Sequence, residues 1–196
     1  MKSIPLPAEL FIHNRKRLVN ALLPNAVAVL NANDIMPTNA DGTMGHIQNA
    51  DLFYLTGIHQ EETILLIAPQ AFDPNHREIL FIRESNEHLA TWEGHKLTKE
   101  QATRISGIKN VKWLSDFPTL FRQIACEADV IYLNSNEHQR AGIEVESRDA
   151  RFVRECQRQF PLHRYERLAR IMHRLRVVKS EPEIAAIQAA CDLTGK

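Results

Sequence analysis

Two aspartates, a histidine and two glycines stand together in DGTMGHIQNAD, with Asp41 and Asp51 ten residues apart and His46 between them. Converging carboxylates and a histidine can hold two divalent ions and lower the pKa of a bridging water. Two carboxylates are too few for that chemistry, and the glycines with Asn39 suit a loop closed by turn hydrogen bonds, which is the favoured reading. The nine histidines, His13, His46, His59, His76, His88, His95, His138, His163 and His173, are scattered, and none has a second histidine three to five residues away. Each reads as a surface or satisfied core residue. There is no G-x-S-x-G elbow, phosphate loop, dinucleotide fingerprint or H-E-x-x-H pair. Cys126, Cys156 and Cys191 form no C-x-x-C pair, and their odd number suits a reducing cytoplasm.

Two other features could bind rather than react. Between residues 148 and 179, nine arginines and one lysine against Asp149, Glu155 and Glu166 leave the segment seven charges positive. Arg151, Arg154 and Arg158 share a helical face, as do Arg167, Arg170 and Arg174; phosphates would suit such stripes. Stacking aromatics are nearly missing there, so a solvated face or one turned to an acidic domain is preferred over nucleic acid. Trp92 precedes Gly94 in the polar stretch HLATWEGHKL. An indole on a loop is a rigid apolar plate with one N–H donor, suited to lining a site or interface, although burial under its own loop would also satisfy it.

The elements that must carry these residues are readable from periodicity. Ala8 to Leu23 is a helix by apolar spacing. AVAVL, TILLIA, EILFI and DVIYL read as buried strands, with DLFYLTG and VKWL as weaker strand candidates. Thr98 and Gln101 form a capping box and Gly107 a stop; Ser115 or Asp116 opens the next helix. Beyond Leu133 no further strand is evident, and Arg148 to Gln159, Tyr165 to Leu175 and the segment from Ser180 read as helices. Strands alternating with helices imply an α/β domain. Lys plus Arg and Asp plus Glu both number 24, so no global field favours nucleic acid or an anionic membrane. No apolar run approaches the roughly 20 residues of a membrane helix, and the N-terminus carries no signal-peptide core. A cytoplasmic location is expected.

Three segments together resemble one family. HIQNADLFYLTGIHQEETILLI is similar to a strand region in the N-terminal domain of Xaa-Pro aminopeptidases, TWEGHKLTKEQATRISGIKNVKWL to its W-x-G-x-(R/K)-L segment, and RLRVVKSEPEIAAIQAA to the junction with the catalytic domain. Ile47, Ala50 and His95 depart from the family pattern. The resemblance implies a mixed sheet with helices on both faces, a creatinase-type, ribonuclease-H-like N-terminal domain over residues 1–176. Residues 177–196 would be a linker and the first helix of a catalytic domain absent from this chain. It further implies two divalent metals, usually manganese, held by that missing domain and none here. It implies a homo-oligomer, peptide substrates, and Trp92 as the residue that reaches a neighbouring subunit's site. This domain would restrict access rather than catalyse. The competing reading is a stand-alone non-enzymatic binding module. A nuclease would need acidic residues converging at strand ends, and Asp51 and Asp129 alone do not supply them.

Overall fold

A computed structural model describes residues 6–84, 96–142 and 144–195. Six strands form one mixed sheet in the order β4-β3-β2-β1-β5-β6: β1 Ala26–Asn31, β2 Ile64–Ile67, β3 Glu78–Ile82, β4 Val111–Trp113, β5 Val130–Leu133 and β6 Arg164–Arg167. β1 runs antiparallel to β2 and parallel to β5. The described helices are α1 Ala8–Val19, α2 Ala50–Thr56, α3 Lys99–Ser106, α4 Phe117–Glu127, α5 Arg148–Gln159, α6 Leu168–Val177 and α7 Glu181–Thr194.

Strand side chains alternate between faces, and each face has its own core. Ala28, Leu30, Leu65 and Leu80 meet Leu18, Leu52, Ala102 and Met172, which places α1, α2, α3 and α6 on one side. Val29, Leu66, Phe81 and Ile131 meet Phe117, Phe121, Cys156 and Phe160, which places α4 and α5 on the other. Phe117 and Phe121 stack at 5.3 Å, and Phe81 abuts Phe117 edge to face at 5.2 Å. The expected mixed α/β sheet with helices on both faces is therefore present.

Two expected elements differ. DLFYLTG is a helix, α2, rather than a strand. Asn49 accepts from the Asp51 and Leu52 amides at 3.0 and 3.2 Å, and Gly57 ends the turn in the left-handed region at φ 68°. This cap and stop outweigh the β propensity of its aromatic residues. The helix expected from Tyr165 begins only at Leu168, because Arg164–Arg167 pairs in parallel with β5 as an edge strand. Its charged RYER sequence hides it from a search for apolar runs; charge is how edges resist pairing with other chains. The α1 helix also stops at Val19, short of Leu23. Trp92 and His95 lie outside the described residues.

One arginine organises the first face. Arg15 is 2% exposed, and its Nε donates to Glu78 Oε1 at 2.6 Å while Nη1 donates to the Leu55 and Ser106 carbonyls at 2.7 and 2.9 Å. Those carbonyls belong to the last turns of α2 and α3, where backbone acceptors lack helical partners and the dipole favours a cation. Both helices then turn at left-handed glycines, Gly57 and Gly107. A Cβ on Gly57 would come within 2.3 Å of Phe11 Cε2, and one on Gly107 within 2.6 Å of Ile12 Cδ1. Helix α1 is thus laid directly across two helix ends. Arg15→Met should cost about 3 to 5 kcal/mol in urea unfolding, since it strands two buried carbonyls. Arg15→Lys should recover only part, because an ammonium cannot reproduce the guanidinium fork.

Candidate functional site

The parallel neighbours β1 and β5 end side by side, and crevices at strand carboxyl ends are where open α/β sheets usually take ligands. Asn31, the last residue of β1, donates from Nδ2 to Asp149 Oδ1 at 2.9 Å. Asn134, just after β5, donates to Asp51 Oδ2 at 3.2 Å, and Arg176 reaches Asp51 Oδ1 at 2.6 Å. Asp34 accepts the Arg148 amide at 2.7 Å and pairs with Arg151. Asp149 is brought here by α5, whose N-cap Ser147 accepts from the Ala150 amide at 3.2 Å. Burial pushes the Asp149 carboxyl up to about 6, with the Asn31 bond and Arg148 opposing and Asp51 and Asp34 adding to the rise. Each of the three carboxylates is therefore engaged from within the fold. Among the described residues no group of three or more His, Cys, Asp or Glu side chains could hold a metal ion.

Asp41 sits apart from Asp51, exposed on a turn closed by Thr38 N to Gly42 O and Gly42 N to Asn39 O, at 2.9 and 3.0 Å. His46 meets His59 edge to face at 5.7 Å, a pairing that their separation in sequence conceals. Both His46 ring nitrogens are buried without a hydrogen-bond partner among the described residues, and burial lowers its pKa. Much of the basic stripe is neutralised locally: Arg154 by Glu146, Arg158 by Glu155, Arg164 by Glu166 and Arg167 by Glu137. No described helix is long and apolar enough to cross a membrane.

A second arrangement adjoins the first through Asp51 and Arg176. The Leu175 carbonyl, in the last turn of α6, accepts from Tyr54 Oη at 3.1 Å and Arg17 Nη2 at 3.0 Å, while Arg17 Nη1 donates to Tyr54 Oη at 3.0 Å. With the Asp51 to Arg176 pair, these bonds fix the end of α6 against α1 and α2. The chain then crosses 178–180 into α7, whose start is held by Ser180 N and Oγ donating to Glu183 Oε2 at 2.9 and 2.6 Å. Between α1, α2 and α7 lies a groove of about 620 Å³, floored by Leu10, Phe11 and Phe53 and walled by Ala186 and Ile187. Asn14 lines it, 1% exposed; its Nδ2 donates to Tyr54 O at 2.9 Å and its Oδ1 has no partner among the described residues. Sequence reasoning missed Asn14, Arg15 and Arg17, although polar residues at 14 and 15 interrupt the apolar face of α1 between Phe11 and Leu18.

A family profile described as "Aminopeptidase P, N-terminal domain" matches residues 11–132. The chain belongs to this family. It is 26% identical over 187 residues to the Xaa-Pro aminopeptidase of Escherichia coli, covering 94% of this chain and 42% of that protein. Human Xaa-Pro aminopeptidase 3 is 22% identical over 160 residues, covering 76% of this chain and 29% of the relative. A solved Bacillus anthracis structure assigned to aminopeptidase P superposes with a TM-score of 0.80 at 26% identity, over 92% of this chain and 42% of that one. The chain thus spans less than half the length of the relatives it matches.

The Asp149 carboxyl makes a pH prediction. Its folded pKa lies above its ordinary value of 3.8, so the native state binds more protons than the unfolded state between about pH 4 and 6. Stability is lost as pH rises through that window. Asp149→Asn keeps an oxygen for the Asn31 donor but never ionises; it should stabilise the chain by on the order of 1 to 3 kcal/mol above pH 7 and have no effect near pH 4. Urea unfolding at both pH values reads this directly.

Proposed function

We propose that this chain is the non-catalytic N-terminal domain of a longer, metal-dependent Xaa-Pro aminopeptidase, which removes an N-terminal residue preceding proline. The observation that carries the reading is the 187-residue match to a relative of which this chain covers only 42%. The domain would occupy residues 1–176, and residues 177–196 would lead into a catalytic domain. A boundary at the end of α6 is supported by the bonds from Arg17, Tyr54 and Asp51 that hold the chain there before α7 begins.

The carboxylates in the strand-end crevice are each engaged by an amide or a guanidinium, and the described residues offer no metal-holding group. We assign two divalent ions, with manganese as the expected metal, to the catalytic domain; when bound they would supply an activated water for attack on the scissile carbonyl. This domain's part is to narrow access so that short peptides enter and to build a homo-oligomer. Trp92 is assigned to the access path of a neighbouring subunit. The protein is assigned to the cytoplasm.

The purified 196-residue chain should hydrolyse no Xaa-Pro peptide at any manganese concentration, whereas the product of the full reading frame should. Metal-dependent turnover by the short chain, abolished by Asp41→Ala, would refute the assignment. In the full-length protein, Trp92→Ala should lower kcat/KM severalfold and leave the melting temperature within a degree or so, because an indole assigned to the access path would lose contact area with its ligand on truncation. A large loss of stability with unchanged kinetics would make Trp92 a core residue.

A further inference from the structure

We infer that the groove between α4 and α5, on the second face of the sheet, is a binding site for a small carboxylate that carries a flat apolar group, with Arg148 meeting the charge. The groove encloses about 800 Å³, a size suited to a small ligand. Leu114, Phe117, Pro118 and Phe152 supply its apolar lining. Phe152 is half-buried and tilts against Phe117 and Phe121 at 5.9 and 5.3 Å, so this lining is held by the aromatic core behind it.

The other wall is cationic. Arg148, Arg151, Arg154 and Arg158 line the groove from α5. Three of them are already paired: Arg151 with Asp34, Arg154 with Glu146 and Arg158 with Glu155. Arg148 differs, because its one hydrogen bond is made by its main-chain amide, to Asp34. Its guanidinium has no hydrogen bond or ion pair among the described residues. The carboxylates that act on it from a distance are committed elsewhere: Glu62 to Arg83, Asp34 to Arg151 and Asp149 to Asn31. Burial lowers the Arg148 pKa, with Arg151 adding to the fall and those three carboxylates opposing it. A guanidinium withdrawn in part from water without a partner is costly, and its forked donors match a carboxylate. The side chain is partly exposed, so a ligand can reach it, and a carboxylate arriving there displaces no bond within the fold.

The pairing also selects the ligand's charge. Once three arginines are neutralised, one cation remains for one negative charge. A phosphate monoester carries close to two at neutral pH. Its second charge would face Glu155 and Asp149 with no cation left to meet it. A carboxylate without an apolar body would leave the phenyl rings uncovered. The inference does not depend on the chain's being part of a longer enzyme.

The probe is 3-phenylpropionate, titrated into the 196-residue chain and followed by NMR. It should shift the Arg148 side-chain Nε–H and the amides near Leu114 and Phe152, with a Kd on the order of 1 mM, as a fragment-sized ligand allows. The neutral 3-phenylpropionamide and the ring-less propionate should each bind at least ten-fold more weakly. Arg148→Gln should weaken 3-phenylpropionate at least ten-fold and leave the melting temperature nearly unchanged, because the guanidinium holds nothing in the fold. Arg104→Gln, the same charge change at an exposed position of α3 on the other face, should have no effect. Equal affinity for the amide, unchanged affinity in Arg148→Gln, or shifts confined to another part of the chain overturn the inference. Phenyl phosphate binding ten-fold more tightly than 3-phenylpropionate overturns the choice of a carboxylate. If Arg148→Gln does not fold, the shift map and the comparison with the amide and propionate decide the question in the unaltered chain.

Discussion

The buried guanidinium of Arg15 is the constraint on which the first face of the domain depends. A cation so fully withdrawn from water is costly, and burial lowers its pKa while Glu78 pulls it back. The cost is offset because the same side chain caps α2 and α3 at once, and Glu78 brings in β3 as the counter-charge. Those helix ends can approach α1 only because Gly57 and Gly107 carry no Cβ, so the arginine and the two glycines are one device. The consequence is positional: α1 sits across the sheet at a fixed height and angle, and everything attached to it inherits that placement.

Arg17 uses the inheritance. Two residues further along a helix points a side chain to a different side, so Arg15 faces α2 and α3 while Arg17 faces the end of α6. Tyr54 closes the arrangement: its hydroxyl accepts from Arg17 and donates to Leu175 O, and its carbonyl receives the Asn14 amide. Burial raises the Tyr54 pKa. The direction in which the chain leaves α6 is therefore set by residues 14, 15, 17 and 54, far away in sequence.

Much of this architecture was legible in the sequence where local chemistry and burial agree. The four apolar strands, the Thr98 and Ser180 capping boxes and the left-handed stop at Gly107 combine a hydrophobic pattern with a specific backbone demand, and they appear where expected. Legibility failed where tertiary context decides. DLFYLTG has the composition of a strand, yet Asn49 and Gly57 bound a stretch whose Leu52 and Leu55 pack into the core at helical spacing. RYER has the composition of a helix or loop and becomes a strand only because β5 offers it an edge. The interactions of Asn14, Arg15 and Arg17 join residues 37 to 158 positions apart, and no local pattern encodes such pairings.

The strand-end crevice carries the same logic into the question of chemistry. Its carboxylates invite a catalytic reading, since three aspartates lie near one another at the carboxyl ends of parallel strands. Each of them already has a partner within the fold. Asp34 is held by a main-chain amide and Arg151, Asp149 by an asparagine amide, and Asp51 by Asn134 and Arg176 together. A ligand entering there would have to displace bonds that also hold α5 and α6 in place, so binding would loosen the elements that shape the crevice. Asp51 makes the conflict sharpest, because one carboxylate both fills the crevice and anchors the exit of α6. A group with that double duty serves best when it never lets go, which is why this end of the sheet reads as a structural joint that ties α2 and α6 to the end of β5.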